Sequence, residues 1–209
     1  MTKKQHGLLF HIGDVVLNII LIVAVVVAIR TFLVSPFQVD GNSMADTLED
    51  GQYIIINKLA YIVGKPKRGD IAVFNPPGEN RKYYVKRVIG LPGDKISIRD
   101  GYIYLIKSGE EEESKLREIY LNEANDGHTY RHPPQQENKS EIVFSVPEDK
   151  YLLLGDNRKG SLDSRSFGIL DKNKSYVGED EIKGRVWFVA LPLSKINVID
   201  CPGYEFCKE

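Results

Sequence analysis

Hydrophobic residues are spread unevenly along the chain. From Val15 to Ile29 no residue is charged and Asn18 is the only polar one. Extended to Ser35, with Arg30 able to snorkel at the edge, the run reaches the roughly 20 residues that a membrane helix needs. A cleaved signal peptide would have a shorter core and a small-x-small exit. Here the exit is Arg30-Thr31-Phe32-Leu33-Val34-Ser35-Pro36, which is bulky. A buried core helix is the other reading, but a near-uniform Val/Ile/Leu run at the N-terminus rarely serves that purpose. The pattern therefore predicts an uncleaved anchor over residues 13–35, with residues 1–12 before it and residues 36–209 after it.

Beyond the anchor the pattern becomes strand-like. Phe37-Gln38-Val39 reads as extended, and Tyr53–Asn57 is rich in β-formers. Asp70–Phe74 ends at the turn Asn75-Pro76-Pro77-Gly78. Tyr83–Ile89 stops at Gly90-Leu91-Pro92-Gly93-Asp94. Lys95–Arg99 and Tyr102–Ile106, joined by Asp100-Gly101, predict a hairpin. Lys107–Ser140 carries the run Glu110–Glu113 and reads as a solvated insertion, with a short helix predicted over Lys115–Ala124. Tyr151–Leu154 and Glu181–Leu191 return to strand, and no internal repeat is visible.

Composition and charge narrow the function classes. The 209 residues allow one principal domain, and the net charge of −1 argues against a nucleic-acid footprint. Lys3 and Lys4 precede the anchor, while Asp40, Asp46, Glu49 and Asp50 follow it. The positive-inside rule then puts the N-terminus in the cytoplasm and the rest outside a cell membrane crossed once. Two cysteines, Cys201 and Cys207, flank a Pro-Gly pair near the C-terminus. A terminal disulfide clip and two free thiols both fit, whereas the spacing fits neither a redox pair nor a metal site. No cofactor is implied.

Peptide hydrolysis needs a nucleophile, a base and donors for the developing oxyanion. His6 and His11 lie at or inside the membrane segment, and His128 and His132 lie in the polar insertion, so all four are poorly placed for a triad. A lysine substitutes if its ammonium, with an ordinary pKa of about 10.4, is desolvated. Strand alternation puts Tyr84, Lys86 and Val88 on one face, and Val85 and Arg87 on the other. Each segment also has a plain reading taken singly. Lys86 fits a snorkelling edge residue, Ser43-Met44-Ala45-Asp46 fits a helix cap, and Gly155-Asp156-Asn157-Arg158 fits a turn.

In combination, the anchor, Gly41-Asn42-Ser43-Met44 with Thr47-Leu48, Gly69–Phe74, Tyr84–Asp94 and Gly155–Gly168 resemble the conserved boxes of type I signal peptidases. The resemblance covers nearly the whole chain. It implies a mainly β, signal-peptidase-like fold with an inserted cap at approximately 95–146, preceded by one transmembrane helix. It implies Ser43 as nucleophile, Lys86 as general base, and the Ser43 N–H as an oxyanion donor. Ser161 would orient the Lys86 amine, and Arg87 with Asp156 and Arg165 with Asp163 would form supporting ion pairs. Gly41 stands where some members carry a second, hydroxyl donor. The substrates implied are secretory preproteins, bound through Phe37, Gln38, Val39, Asp40, Met44, Leu48, Tyr84 and Val85, with small residues at −1 and −3. The chain departs from the family pattern at Asp46, where Pro is usual. That departure leaves open a catalytically impaired homologue that binds signal peptides or partners.

Overall fold

The computed structural model describes residues 3–45, 47–79, 81–130, 141–169 and 171–200. Asp46, His132, Cys201 and Cys207 lie outside these residues. The chain begins with helix α1, Lys3–Ala28, continued by a π-helical turn over Ile29–Leu33. Its segment His11–Leu33 has 23 residues with a mean hydropathy of 2.9, and none of it is buried by protein. It is long and apolar enough to cross a membrane.

The rest is mostly strand. In chain order these are β1 (Val34–Gln38), β2 (Tyr53–Asn57), β3 (Ile71–Phe74), β4 (Tyr84–Gly90), β5 (Lys95–Arg99), β6 (Tyr102–Ile106), β7 (Ser114–Lys115), β8 (Ile142–Ser145), β9 (Lys150–Leu154), β10 (Val177–Gly178), β11 (Ile182–Leu191) and β12 (Asn197–Val198). A single-turn helix, α2, spans Ser164–Phe167. One sheet runs β1-β2-β11-β3-β4-β9-β10, with β12 added on β11, and a second runs β7-β6-β5-β8. The mainly β expectation therefore holds, and β2 to β6 fall within about one residue of their expected bounds, whereas β1 begins at Val34, ahead of the expected Phe37.

The long strand β11 slips register against its neighbours, between Val186 and Phe188, Val189 and Leu191, and Ile182 and Gly184. Such irregularities increase local twist and bend a sheet. The bending brings the two ends of the path β1-β2-β11-β3-β4 towards each other, so that Phe37 of β1 meets Tyr83 just before β4. Their ring centroids lie 5.2 Å apart in an edge-on arrangement.

The inserted region differs from its sequence reading. It contains the second sheet, and Ile96, Ile98, Ile103, Leu105, Leu116 and Phe144 form a buried cluster with Ile89, Leu152 and Leu154 of the first sheet. Only part of the insertion is a solvated loop. The helix expected over Lys115–Ala124 does not form. Lys115 is drawn into β7, Leu116 is buried, and the chain then turns at Asn122, whose side chain accepts from the Asn125 N–H at 3.0 Å.

The hairpin turn takes positive φ at both central residues, 52° at Asp100 and 81° at Gly101, as a type I′ turn requires. Gly101 is required twice over. A Cβ there would lie 1.8 Å from the Gly127 carbonyl oxygen, because the hairpin tip packs directly on the 125–129 turn. Gly109 has a similar φ of 78° with open space around it. Gly109→Ala is therefore expected to cost about 1 kcal/mol from backbone strain alone. Gly101→Ala should cost at least about twice that. Denaturant titration of both variants checks this, and equal losses would contradict the packing of the tip against the turn.

Candidate active site

Ser43 sits in the turn that follows β1. Gly41, at φ 87°, reverses the chain, and its N–H donates to Asp50 Oδ1 at 2.8 Å. This loop is pinned from the far side of the sheet. The Asn157 N–H donates to the Ser43 carbonyl at 3.1 Å. Asn157 Nδ2 donates to the Asn42 carbonyl at 3.0 Å, and Thr47 Oγ1 donates to Asp156 Oδ2 at 2.6 Å. The Ser43 N–H itself has no hydrogen-bond partner among the described residues.

Lys86 comes from β4, opposite Ala72 of β3. Its Nζ lies 2.6 Å from Ser43 Oγ and 2.9 Å from the Val85 carbonyl oxygen. The residue is 3% exposed. Burial pushes its pKa down from 10.5 to about 8, against the pull of the Asp163 and Asp156 carboxylates, with Arg165 helping to lower it.

Those carboxylates are each held by an arginine. Arg87 Nε and Nη2 donate to the two oxygens of Asp156 at 2.9 and 2.6 Å, and Nη1 reaches the Gly69 carbonyl at 2.9 Å. Arg165 Nε and Nη2 grip Asp163 at 2.9 and 2.7 Å. All four residues are at most 2% exposed. Burial alone would raise the Asp163 carboxyl. The Arg165 charge, with hydrogen bonds from Arg165 and the Gly155 N–H, holds it below the usual carboxylate range.

Three of the expected residues differ in their contacts from the sequence reading. Ser161 is buried beside Gly155, but its hydroxyl has no hydrogen-bond partner among the described residues, the Lys86 amine included. Met44 and Leu48 do not line the groove beside Ser43. Both are fully buried in the cluster with Val39, Ile54, Ile56 and Val186, because the turn after Ser43 points them under the sheet. The groove itself has a volume of about 670 Å³ and runs between Phe37–Ser43 and Lys82–Lys86, with Gly160 and Leu162 along it. Phe37, Gln38, Val39, Asp40, Tyr84 and Val85 do border it, and the buried Ile54 and Val73 form its floor.

Gly155, Asn157 and Thr47 received no role from the sequence. A Cβ on Gly155 would sit 2.1 Å from Ser161 Oγ and 2.4 Å from the Ser43 carbonyl oxygen, so only glycine allows the 155–161 segment to close on the serine loop. Thr47 was detectable in principle, since a polar residue four after Ser43 falls one turn away from it. His128 lies in the insertion beside Tyr130, and no contact joins it to Ser43.

Residues 12–189 match the sequence profile of the signal peptidase family, peptidase S26. The chain is 34% identical over 210 residues to the signal peptidase I of Bacillus licheniformis, covering 95% of this chain and 97% of that one. It is 37% identical over 202 residues to the signal peptidase I of Bacillus amyloliquefaciens, covering 94% and 95%. With signal peptidase IB of Staphylococcus aureus strain Mu50 it shares 33% identity over 186 residues, covering 87% and 91%. These likenesses define the class as serine peptidases. The chain belongs to the signal peptidase family, peptidase S26.

Burying Lys86 has a stability consequence whose sign follows from its pKa. With a folded value of about 8 and an ordinary value of 10.5, the unfolded chain binds more protons between those pH values. Stability is therefore lowest below pH 8 and recovers as the pH rises to 10.5. The recovery is about 3 kcal/mol. Unfolding free energies of the parent and Lys86→Met should thus converge or cross in favour of the parent over that window, and parallel pH curves would contradict the depressed pKa.

Proposed function

We propose that this chain is a membrane-anchored endopeptidase that removes signal peptides from secretory preproteins with a Ser43/Lys86 dyad. The observation that carries the reading is the 2.6 Å approach of the buried Lys86 amine to the Ser43 hydroxyl. An amine with a pKa of about 8 is partly unprotonated at neutral pH, which a general base requires.

Each step uses groups of this chain. Neutral Lys86 takes the proton from Ser43 Oγ as that oxygen attacks the scissile carbonyl carbon. The unpartnered Ser43 N–H donates to the oxyanion as charge develops there. The Lys86 ammonium then gives its proton to the leaving amine, which departs as the new N-terminus of the mature protein. Lys86 next takes a proton from a water that attacks the acyl ester, and returns it to Ser43 Oγ as the ester C–O bond breaks and the signal peptide leaves as a carboxylate. Asp156 and Asp163, each paired with an arginine, support the base without exchanging protons. Gly41 supplies no side-chain donor, so the backbone carries the oxyanion stabilisation assigned here.

The groove suits an extended peptide added as a strand between Phe37–Ser43 and Tyr83–Lys86. Ile54 and Val73 floor it closely, which supports small side chains at −1 and −3. Lys3 and Lys4 support an N-terminus in the cytoplasm, with the catalytic domain outside, next to the bilayer where preproteins emerge.

The test is cleavage of a preprotein ending in Ala-x-Ala by the detergent-solubilised full chain. Ser43→Ala and Lys86→Ala should each lower kcat/KM by at least about a thousandfold. Lys86→Arg should fare no better, because guanidinium stays protonated. Replacing the −1 Ala by Phe should abolish cutting. Substantial turnover by Lys86→Ala would overturn the dyad assignment.

A further inference from the structure

Two buried arginines behind the dyad find their remaining partners in the inserted segment. Arg158 Nη1 and Nη2 donate to the two Glu118 oxygens at 2.9 and 2.6 Å. The same guanidinium donates to Tyr120 Oη at 2.8 Å and Thr129 Oγ1 at 2.9 Å. Tyr120 Oη donates to Glu118 Oε1 at 2.6 Å. The Tyr120 ring meanwhile lies under the Arg87 guanidinium, 3.9 Å from ring centroid to Cζ. One aromatic side chain thus touches both arginines, one through its face and the other through its hydroxyl.

We propose that Tyr120 and Glu118 are positioning residues of the peptidase site, a clamp through which the inserted segment sets the place and proton affinity of Lys86. The proposal rests on Lys86 being the base.

The chain of contacts is short. Arg87 adjoins Lys86 on β4, and its guanidinium is held by Asp156 and Gly69 around its edge and by Tyr120 on its face. Asp156 in turn fixes Thr47, in the same turn as Ser43. Arg158 Nε donates to the Gly155 carbonyl at 3.0 Å, at the residue that packs on Ser43 and Ser161. Arg158 is 1% exposed, so without Glu118 its charge would be buried with no carboxylate gripping it. Asp156, whose charge already acts on Glu118, is the other carboxylate of this network open to it.

The sign of the effect follows. The charged groups acting on Lys86 are Asp163, Asp156 and Arg165, and both carboxylates favour its ammonium. Those acting on Glu118 are Arg158, Arg87 and Asp156. If Arg158 is released from Glu118 and drawn to Asp156, less negative field reaches Lys86. The amine then loses its proton more easily. The clamp is anchored independently of the catalytic loops, because Leu116 is buried in the insertion's core and the Thr129 N–H donates to the Gly101 carbonyl at 2.9 Å.

The experiment compares Glu118→Gln, Tyr120→Phe and Tyr120→Leu in the full-length, detergent-solubilised chain, with the exposed Glu123→Gln as a control. It measures thermal melting, kcat, KM and the pH profile of kcat/KM on an Ala-x-Ala preprotein. Glu118→Gln and Tyr120→Leu should lower kcat about tenfold with little change in KM, as expected for the loss of a hydrogen bond or stack to a charged group. Glu118→Gln should also move the acidic limb down by roughly half a pH unit. Tyr120→Phe, which keeps the ring and changes no charge, should leave the limb in place and lower kcat less than Tyr120→Leu. Glu123→Gln should match the parent. Variants that melt earlier but keep the parent's kcat and limb would overturn the proposal, leaving the clamp a structural brace. If Glu118→Gln fails to fold, the kcat of Tyr120→Leu decides alone. Failure of the dyad reading looks different, because it appears in the parent as the absence of an acidic limb near pH 8, or as an active Lys86→Ala.

Discussion

A primary amine loses its proton near neutral pH only where water cannot solvate the ammonium and no net negative charge replaces that water. Lys86 meets the first condition, and its arginine pairs go part of the way to the second. Burial drives the pKa down, while two carboxylates nearby work against it. Left bare, Asp156 and Asp163 would hold the amine protonated. Each is instead gripped by two nitrogens of a guanidinium, Arg87 on Asp156 and Arg165 on Asp163. The carboxylates act as hydrogen-bond anchors for Thr47 and the Gly155 N–H, and Arg165 offsets part of their pull on the amine. The arginine pairs thus let a polar, rigid site surround an amine whose proton burial has made easier to lose.

Sheet geometry delivers the groups to that place. The register slips along β11 curl the large sheet until its first and fifth strands face each other across a groove. The serine turn closes one end of the groove, where Asn157 and Asp156 hold it from beneath. The inserted region packs its own sheet on β4 and β9, and Tyr120, Glu118, Thr129 and Tyr130 reach from it to the arginines. Many of the site's polar contacts therefore cross between segments remote in sequence.

This explains which parts were legible beforehand. The apolar run of α1, the β-forming runs of β2 to β4 and the Asp100-Gly101 hairpin are local patterns that the fold keeps, although the alternation read in β4 does not, since Lys86 to Gly90 are all buried. The meeting of Ser43 and Lys86, 43 positions apart, could be expected only through likeness to a family, since neither residue is unusual in its own neighbourhood. Met44 and Leu48 were misplaced because their side-chain directions depend on how the turn after Ser43 rolls. The roles of Glu118 and Tyr120 had no sequence signal at all. They sit in a polar stretch beside the Glu110–Glu113 run, where solvated carboxylates are the default, and only the arrival of Arg158 from 40 residues away buries one of them. Gly155 was quoted within a motif, but its need for a missing Cβ appears only when the Ser43 carbonyl packs against it.

The proton affinity of Lys86 is the most direct test. With lysine labelled at 13Cε in the solubilised full chain, the signal lost in Lys86→Arg reports that amine alone and can be followed across pH. A midpoint near 8 is the result this account predicts. A midpoint above about 10, the ordinary lysine value, would contradict it and return Lys86 to the rank of a buried structural cation.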